Sequence, residues 1–170
     1  LALSRAFGPR AQLYLSWGQG VESDVAPNLP MYRNAGQALP AAKSRQIEVG
    51  YKRRTDAWEL AIAAFDIRRP LWSDVGACDG SAASCEKVSD GHSRHRGIEA
   101  EAEWKGGTWT WRASAMLLRA RREGAADASL NGLRPTNVPA TSLKLQAAYN
   151  VGALPGLACL AFVTREGERV

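Results

Sequence analysis

The chain has 170 residues, with 22 Lys+Arg against 17 Asp+Glu, a net charge of +5 and a pI near 9.4. Its length suits one domain, and an apolar content of 45% excludes a disordered chain. No apolar run reaches the roughly 18 residues of a membrane helix, which leaves membrane strands open, and the basic balance is compatible with nucleic acid, an anionic membrane surface or an anionic ligand without choosing among them.

Residues 1–10 carry neither a basic n-region nor a sustained apolar segment, and there is no initiator Met. The expectation is an internal piece of a longer chain. From there the apolar period is two rather than 3.6. Over residues 12–17, Leu13, Leu15 and Trp17 share a face, opposite Gln12, Tyr14 and Ser16. Over 45–52, Ile47, Val49 and Tyr51 oppose Gln46, Glu48, Gly50 and Lys52. Over 57–66, Trp58, Leu60, Ile62 and Ala64 form one face, with Glu59 on the other. Over 97–105, Ile98, Ala100, Ala102 and Trp104 oppose Glu99, Glu101 and Glu103. Over 108–119, Trp109, Trp111, Ala113, Ala115 and Leu117 oppose Thr108, Thr110, Arg112 and Ser114. Over 142–149, Leu143, Leu145, Ala147 and Tyr149 oppose Ser142, Lys144 and Gln146. Residues 157–164 are strand-like without a clear face. Helix competes at 57–66 and 113–122, which are Ala-rich, but neighbouring β-patterns and the Trp/Thr opening of the second argue for strand.

The connections alternate. Residues 18–44 form a long one with Pro27, Pro30 and Pro40; 52–58 is tight; 69–94 is long; Gly106-Gly107 reads as a two-residue hairpin turn; 122–141 is long; 150–157 is short. Long loops on one side and tight turns on the other, with strands near the 9 to 11 residues that cross a bilayer, predict an all-β antiparallel up-and-down meander of about seven strands, a partial transmembrane β-barrel. Tyr51, Trp58, Trp104, Trp109, Trp111 and Tyr149 lie beside the short connections on the apolar face, as a membrane-interface girdle would. Glu48, Glu59, Glu99, Glu101, Glu103, Arg112 and Lys144 occupy the other face, which suits a wet lumen. An open sheet cannot keep unpaired edges in lipid, so seven strands would be part of a larger barrel. The competing reading is a soluble all-β binding module for carbohydrate or nucleic acid; uncovered Leu13, Val49, Leu60, Ile98 and Leu145 would favour the barrel, and a second sheet over them the module. Trp and Arg mostly fall on different faces, which argues against nucleic acid.

Cys78 and Cys85 bound the small polar stretch CDGSAASC, a spacing too wide for a CxxC site. A disulfide closing a loop in an oxidising compartment is the better reading, and Cys159 stands alone. Glu99, Glu101 and Glu103 stand about 7 Å apart along a strand, too far for one metal without further ligands. His92 and His95, flanking Arg94 and Arg96, are placed at the start of a strand on the outer rim, as lipopolysaccharide-phosphate ligands or a solvated rim. There is no GxSxG and no Walker-type loop, so neither a catalytic residue nor a cofactor is assigned.

Four segments in order, AAKSRQIEVGYK, WELAIAAFDIRRP, HRGIEAEAEWKGGTW and NGLRPTNVPATSLKLQAAYN, resemble TonB-dependent siderophore receptors. The resemblance implies the C-terminal part of a 22-strand outer-membrane barrel, a transporter rather than an enzyme. It implies a ferric siderophore as substrate, outer-membrane lipid and lipopolysaccharide as surroundings, and coupling to the TonB–ExbB–ExbD system through a plug and N-terminal region outside residues 1–170. The chain ends Gly-Glu-Arg-Val rather than on the usual terminal aromatic, so it is expected to stop before the last strands. On the long loops Tyr32, Arg33, Trp72 and Arg134 suit contact with an anionic, aromatic ferric siderophore.

Overall fold

The computed structural model describes residues 1–169 as one antiparallel sheet. Its strands are β1 (Ala2–Ala6), β2 (Ala11–Glu22), β3 (Ala42–Arg54), β4 (Trp58–Gly76), β5 (Cys85–Gly106), β6 (Trp109–Glu123), β7 (Thr141–Asn150) and β8 (Ala158–Glu166). Each pairs with its sequence neighbours in the order β1 to β8, and the sheet is open. The seven strands expected from the pattern are β2 to β8. The eighth, β1, reads ALSRA and places Leu3 and Arg5 on one face, so it has no apolar contrast for a period-two reading to find.

The register fixes both faces across the sheet. Leu15, Val49, Ala64, Ile98 and Leu117 fall in line on one face, and Ser16, Glu48, Phe65 and Gly97 on the other. No second layer covers the apolar face: Leu13, Val49, Ile98 and Leu145 are each more than two-fifths exposed, while Leu60 is half-buried. The buried apolar residues among those described are few and small, such as Ala26, Ala63, Cys85 and Ala120. A soluble domain rarely leaves so continuous an apolar surface bare. The polar face is the concave one: cavities of about 610 Å³ and 540 Å³ open on it, against Glu101, Glu103, Arg112 and Lys144 and against Gln12, Lys52 and Arg54 respectively.

Cross-strand pairs on the concave face explain two glycines. The Tyr14 ring lies over its partner Gly50, where a Cβ would meet the ring at 2.3 Å, and Phe65 lies over Gly97, where a Cβ would meet it at 2.5 Å. An aromatic thus replaces the packing that a glycine opposite it lacks. Tyr14 then donates its hydroxyl to Glu48 at 2.6 Å.

Two connections differ from the sequence expectation. The segment 69–94 is mostly hairpin rather than loop: β4 runs to Gly76 and β5 starts at Cys85, leaving 77–84 as the tip. Those extensions mix polar and apolar residues on both faces, such as Leu71 with Ser73 and Trp72 with Asp74, so they lack the alternation that marks the membrane-length part. Trp72 pairs with Ser89 and Pro70 with His92, so β5 carries one extra residue, Asp90–Gly91 against Leu71. Gly91 takes φ +69° there, and a Cβ would lie 2.5 Å from the Glu123 carbonyl oxygen. The tight turn between β5 and β6 is Gly107-Thr108, one residue later than expected, because Gly106 still pairs with Trp109. Gly107 has φ +57°, the positive value required at the first position of a type II′ turn.

Candidate functional site

The long-loop end is held by polar contacts that converge on the β4–β5 hairpin. The disulfide expected from sequence joins Cys78 to Cys85, with Cα atoms 4.6 Å apart, and Cys85 is fully buried. The β2–β3 loop, residues 23–41, crosses to this hairpin and lies along its free edge. Cys85 donates its amide to Met31 O at 2.8 Å, and Arg33 donates its own to Cys85 O at 2.8 Å. Asn34 then brackets Lys87: its Nδ2 donates to Lys87 O at 2.7 Å, and Lys87 N donates to its Oδ1 at 3.1 Å. Lys87 Nζ pairs with Asp24 at 3.1 Å. The loop is therefore docked on the hairpin edge rather than a free tether.

Of the four loop residues picked from sequence, Tyr32 and Arg33 dock at Cys85, and Trp72 lies further along β4 of the same hairpin, paired with Ser89. Tyr32 bridges Cys85, and desolvation together with a hydrogen bond to the Asp74 carboxylate raises its phenol. Arg33 donates Nε to Ala83 O at 3.1 Å and remains exposed. Trp72 stands two residues before Asp74 on the same strand, so both side chains leave on one face. Its indole Nε1 is buried and has no hydrogen-bond partner among the described residues. Arg134 is elsewhere: it lies in the β6–β7 loop and donates to Glu168 O at 3.1 Å.

A second anchor was missed from sequence. Asp90, 7% exposed, accepts the Ala126 amide at 2.7 Å and faces Arg122 at 3.6 Å. The Ala126 amide and the Ser73 hydroxyl, with Arg122 a smaller influence, hold its carboxyl below the usual range. Arg122 also donates to Ser73 at 3.1 Å, so Asp90 and Arg122 tie the β6–β7 loop to β4 and β5. Asp90 sits in a stretch without periodicity, and only the bulge turns it toward Ala126. Glu22 and Arg69 form a similar link from β2 to β4 at 2.9 Å, and the Arg69 hydrogen bond draws the Glu22 carboxyl down.

At the short-turn end, Trp58, Trp104 and Trp111 form one row across β4, β5 and β6. Trp58 and Trp104 have centroids 6.2 Å apart, and Trp109 stacks on Trp111 at 5.7 Å and meets Tyr149 at 4.7 Å. Tyr51 departs from this group: it pairs with Ile62, two apolar-face rows further from the turn than Trp58. His92 and His95 depart too. They lie inside β5 rather than at its start, and on opposite faces: His92 meets Glu123 at 3.1 Å on the convex side, while His95 meets Ser93 at 3.0 Å.

Residues 3–168 match the family described as TonB dependent receptor-like, beta-barrel. The chain is similar to the ferric preacinetobactin receptor BauA of Acinetobacter baumannii, at TM-score 0.74 and 22% identity, covering 97% of this chain and 25% of that one. It is also similar to the alcaligin outer-membrane receptor FauA of Bordetella pertussis, at TM-score 0.66 and 22% identity, covering 98% and 28%. The copper transporter OprC aligns at TM-score 0.62 and 16% identity, covering 89% and 24%. The chain thus spans about a quarter of the length of these solved proteins. No curated protein matches its sequence.

Proposed function

The chain belongs to the TonB-dependent receptor β-barrel family, and from that membership we propose that it is barrel wall of an outer-membrane receptor taking up a ferric siderophore. The observation that carries this reading is the bare convex apolar face backed by a polar concave face, over strands long enough to cross a bilayer. The strand edges β1 and β8 pair with further strands of a longer polypeptide, because unpaired edges are not sustained in lipid. That longer protein supplies the plug and the N-terminal segment through which TonB–ExbB–ExbD drives transport.

The Trp58, Trp104, Trp109, Trp111 and Tyr149 cluster is the periplasmic girdle, and the disulfide-closed hairpin faces the exterior. Tyr32, Arg33 and Trp72 form the ligand-contact group of this stretch: an exposed guanidinium and two part-buried aromatic side chains suit an anionic, aromatic iron chelate. Arg134, bound to a backbone carbonyl, is a weaker contact.

Growth of an iron-limited strain on a panel of ferric siderophores, with and without the full-length protein, tests the cargo. Restored growth on at least one chelate supports the reading. Growth restored only by haem, cobalamin or a sugar contradicts the siderophore, and recovery of the protein in the cytosol contradicts the barrel.

A further inference from the structure

Glycines on the concave face are covered in the lower half of this sheet and bare at one place above it. Tyr14 lies over Gly50, which is buried, and Phe65 lies over Gly97. Gly18 and Gly20 share that face on β2, where they pair with Gln46 and Ser44, and both are exposed. No aromatic lies over them: a Cβ on Gly18 would meet nothing within 4 Å, and one on Gly20 would meet the Ser44 hydroxyl at 2.9 Å. Neither has a positive φ, so no turn or left-handed conformation requires glycine at either position. Glycine inside a strand weakens it, and it marks a place where another group approaches the backbone closely. The bare backbone floors a cleft of about 460 Å³, walled by Gln46 and Ile67 and closed toward the long loops by Glu22 and Arg69. Two residues along β2 and three strands across give the floor an extent of roughly 7 Å by 10 Å, room for one substituted aromatic ring. Glu22 fixes the Arg69 guanidinium by accepting Nε at 3.3 Å and Nη2 at 2.9 Å, which leaves Nη1 for a further acceptor, and the Arg69 side chain stays 58% exposed.

Resting on the siderophore-uptake reading, we propose that Gly18 and Gly20 form a shelf on which an aryl ring of the cargo lies against the strand backbone, with its phenolate or catecholate oxygen toward Arg69. The ring supplies the cover that Tyr14 and Phe65 give to Gly50 and Gly97, so the glycine–aromatic pairing of this face is completed by the ligand. Ile67 borders the ring with hydrocarbon, and the fixed guanidinium gives the anionic oxygen a charge-assisted hydrogen bond. This assigns the cargo to the aryl class of iron chelates. A hydroxamate or an aliphatic carboxylate has no ring to lay on bare backbone and gains only the Arg69 contact. The shelf is distinct from the loop group: Trp72 lies three residues beyond Arg69 on β4, in the hairpin that rises past the cleft.

The test uses the full-length protein in detergent, with ferric 2,3-dihydroxybenzoate, ferric salicylate and ferric acetohydroxamate as probes. In a Cys159→Ser, Gly18→Cys variant, maleimide labelling of position 18 is followed by mass spectrometry, and heat-modifiable migration on a gel reads folding. We expect position 18 to label in the free protein, at least one of the two aryl chelates to slow labelling about tenfold, and the acetohydroxamate to leave it unchanged. Gly18→Phe, whose own ring covers the shelf, should lower retention of radioactive iron from that aryl chelate about tenfold, the loss expected when one ring is no longer buried. Arg69→Gln should lower it several-fold. If Gly18→Phe does not fold, Gly18→Ala serves, with a loss of several-fold. An unreactive position 18 in the free protein would mean that a segment of the same polypeptide covers the shelf, and would overturn the proposal. Equal protection by the acetohydroxamate, or unchanged retention in the position-18 variants, would do the same. Any of these in a protein that still restores growth on a ferric chelate leaves the uptake reading standing, whereas growth on no ferric chelate removes both.

Discussion

The two ends of this sheet are built on different principles. At the short-turn end, one arrangement repeats from strand to strand: an aromatic on the convex face, a charged residue on the concave face, a tight turn. At the long-loop end nothing repeats. Stability there rests on single contacts such as Cys78–Cys85, Asn34–Lys87 and Asp90–Ala126. The repeating end answers to a solvent, the bilayer, which imposes the same rule on every strand. The irregular end answers to a shape that each loop holds by its own contacts.

Two adjacent residues on β6 separate the faces most strongly. Ala115 points outward and Ser114 inward on β6, where they pair with Ala100 and Glu101. In the full-length protein folded into vesicles, Ala115→Arg should cost about 2–4 kcal/mol in urea unfolding, as a charge near the mid-plane does. Ser114→Arg, facing the wet side, should cost less than about 1 kcal/mol. Similar costs at both positions would erase the distinction between the faces.

At the other end, effects should be local. Opening the disulfide with Cys78→Ser should free the hairpin tip by about 2–3 kcal/mol, from loop-closure entropy. Hydrogen exchange should accelerate in 77–84 and in the docked 31–34 segment and stay unchanged in β6 and β7. Acceleration across the whole sheet would show that the two ends are not independent.

Asp90→Asn should cost about 1 kcal/mol, seen as faster exchange at Ala126 with the urea midpoint held. The pH dependence has a definite sign. The folded-state value of Asp90 lies below that of a free aspartate, near 3.9, so the folded state favours the ionised form. Its contribution is complete above that unfolded value and is lost as pH falls through the lower folded one. Protection of the Ala126 amide should therefore be flat from neutral pH to about 5 and decline below about 4. A decline already at pH 6 would assign the effect to another group.

The same contrast governs what the sequence reveals. Ile98, Ala100, Ala102 and Trp104 against Glu99, Glu101 and Glu103 is a pattern written by the bilayer, and it can be read one strand at a time. β1 escaped because Arg5 shares a face with Leu3. The β4–β5 extension escaped because polar and apolar residues are mixed on both its faces, as Leu71 with Ser73 and Trp72 with Asp74. A row of arginines across β3 to β6 escaped for a different reason: Arg45, Arg68, Arg94 and Arg121 are ordinary polar residues near strand ends until the register aligns them. Tyr32, Arg33 and Trp72 were legible as large residues on long connections, but the docking of Tyr32 and Arg33 depends on a loop crossing to Cys85 that no local signal announces.

Whether the convex face lies in lipid can be read at two adjacent positions on β7. With Cys159, which is exposed on the same face, replaced by Ser, an environment-sensitive fluorophore is attached at Leu145→Cys or Lys144→Cys in the full-length protein in vesicles. A convex face in lipid gives strong quenching by mid-chain spin-labelled lipid at position 145 and little at 144. Absence of quenching at both positions would contradict it.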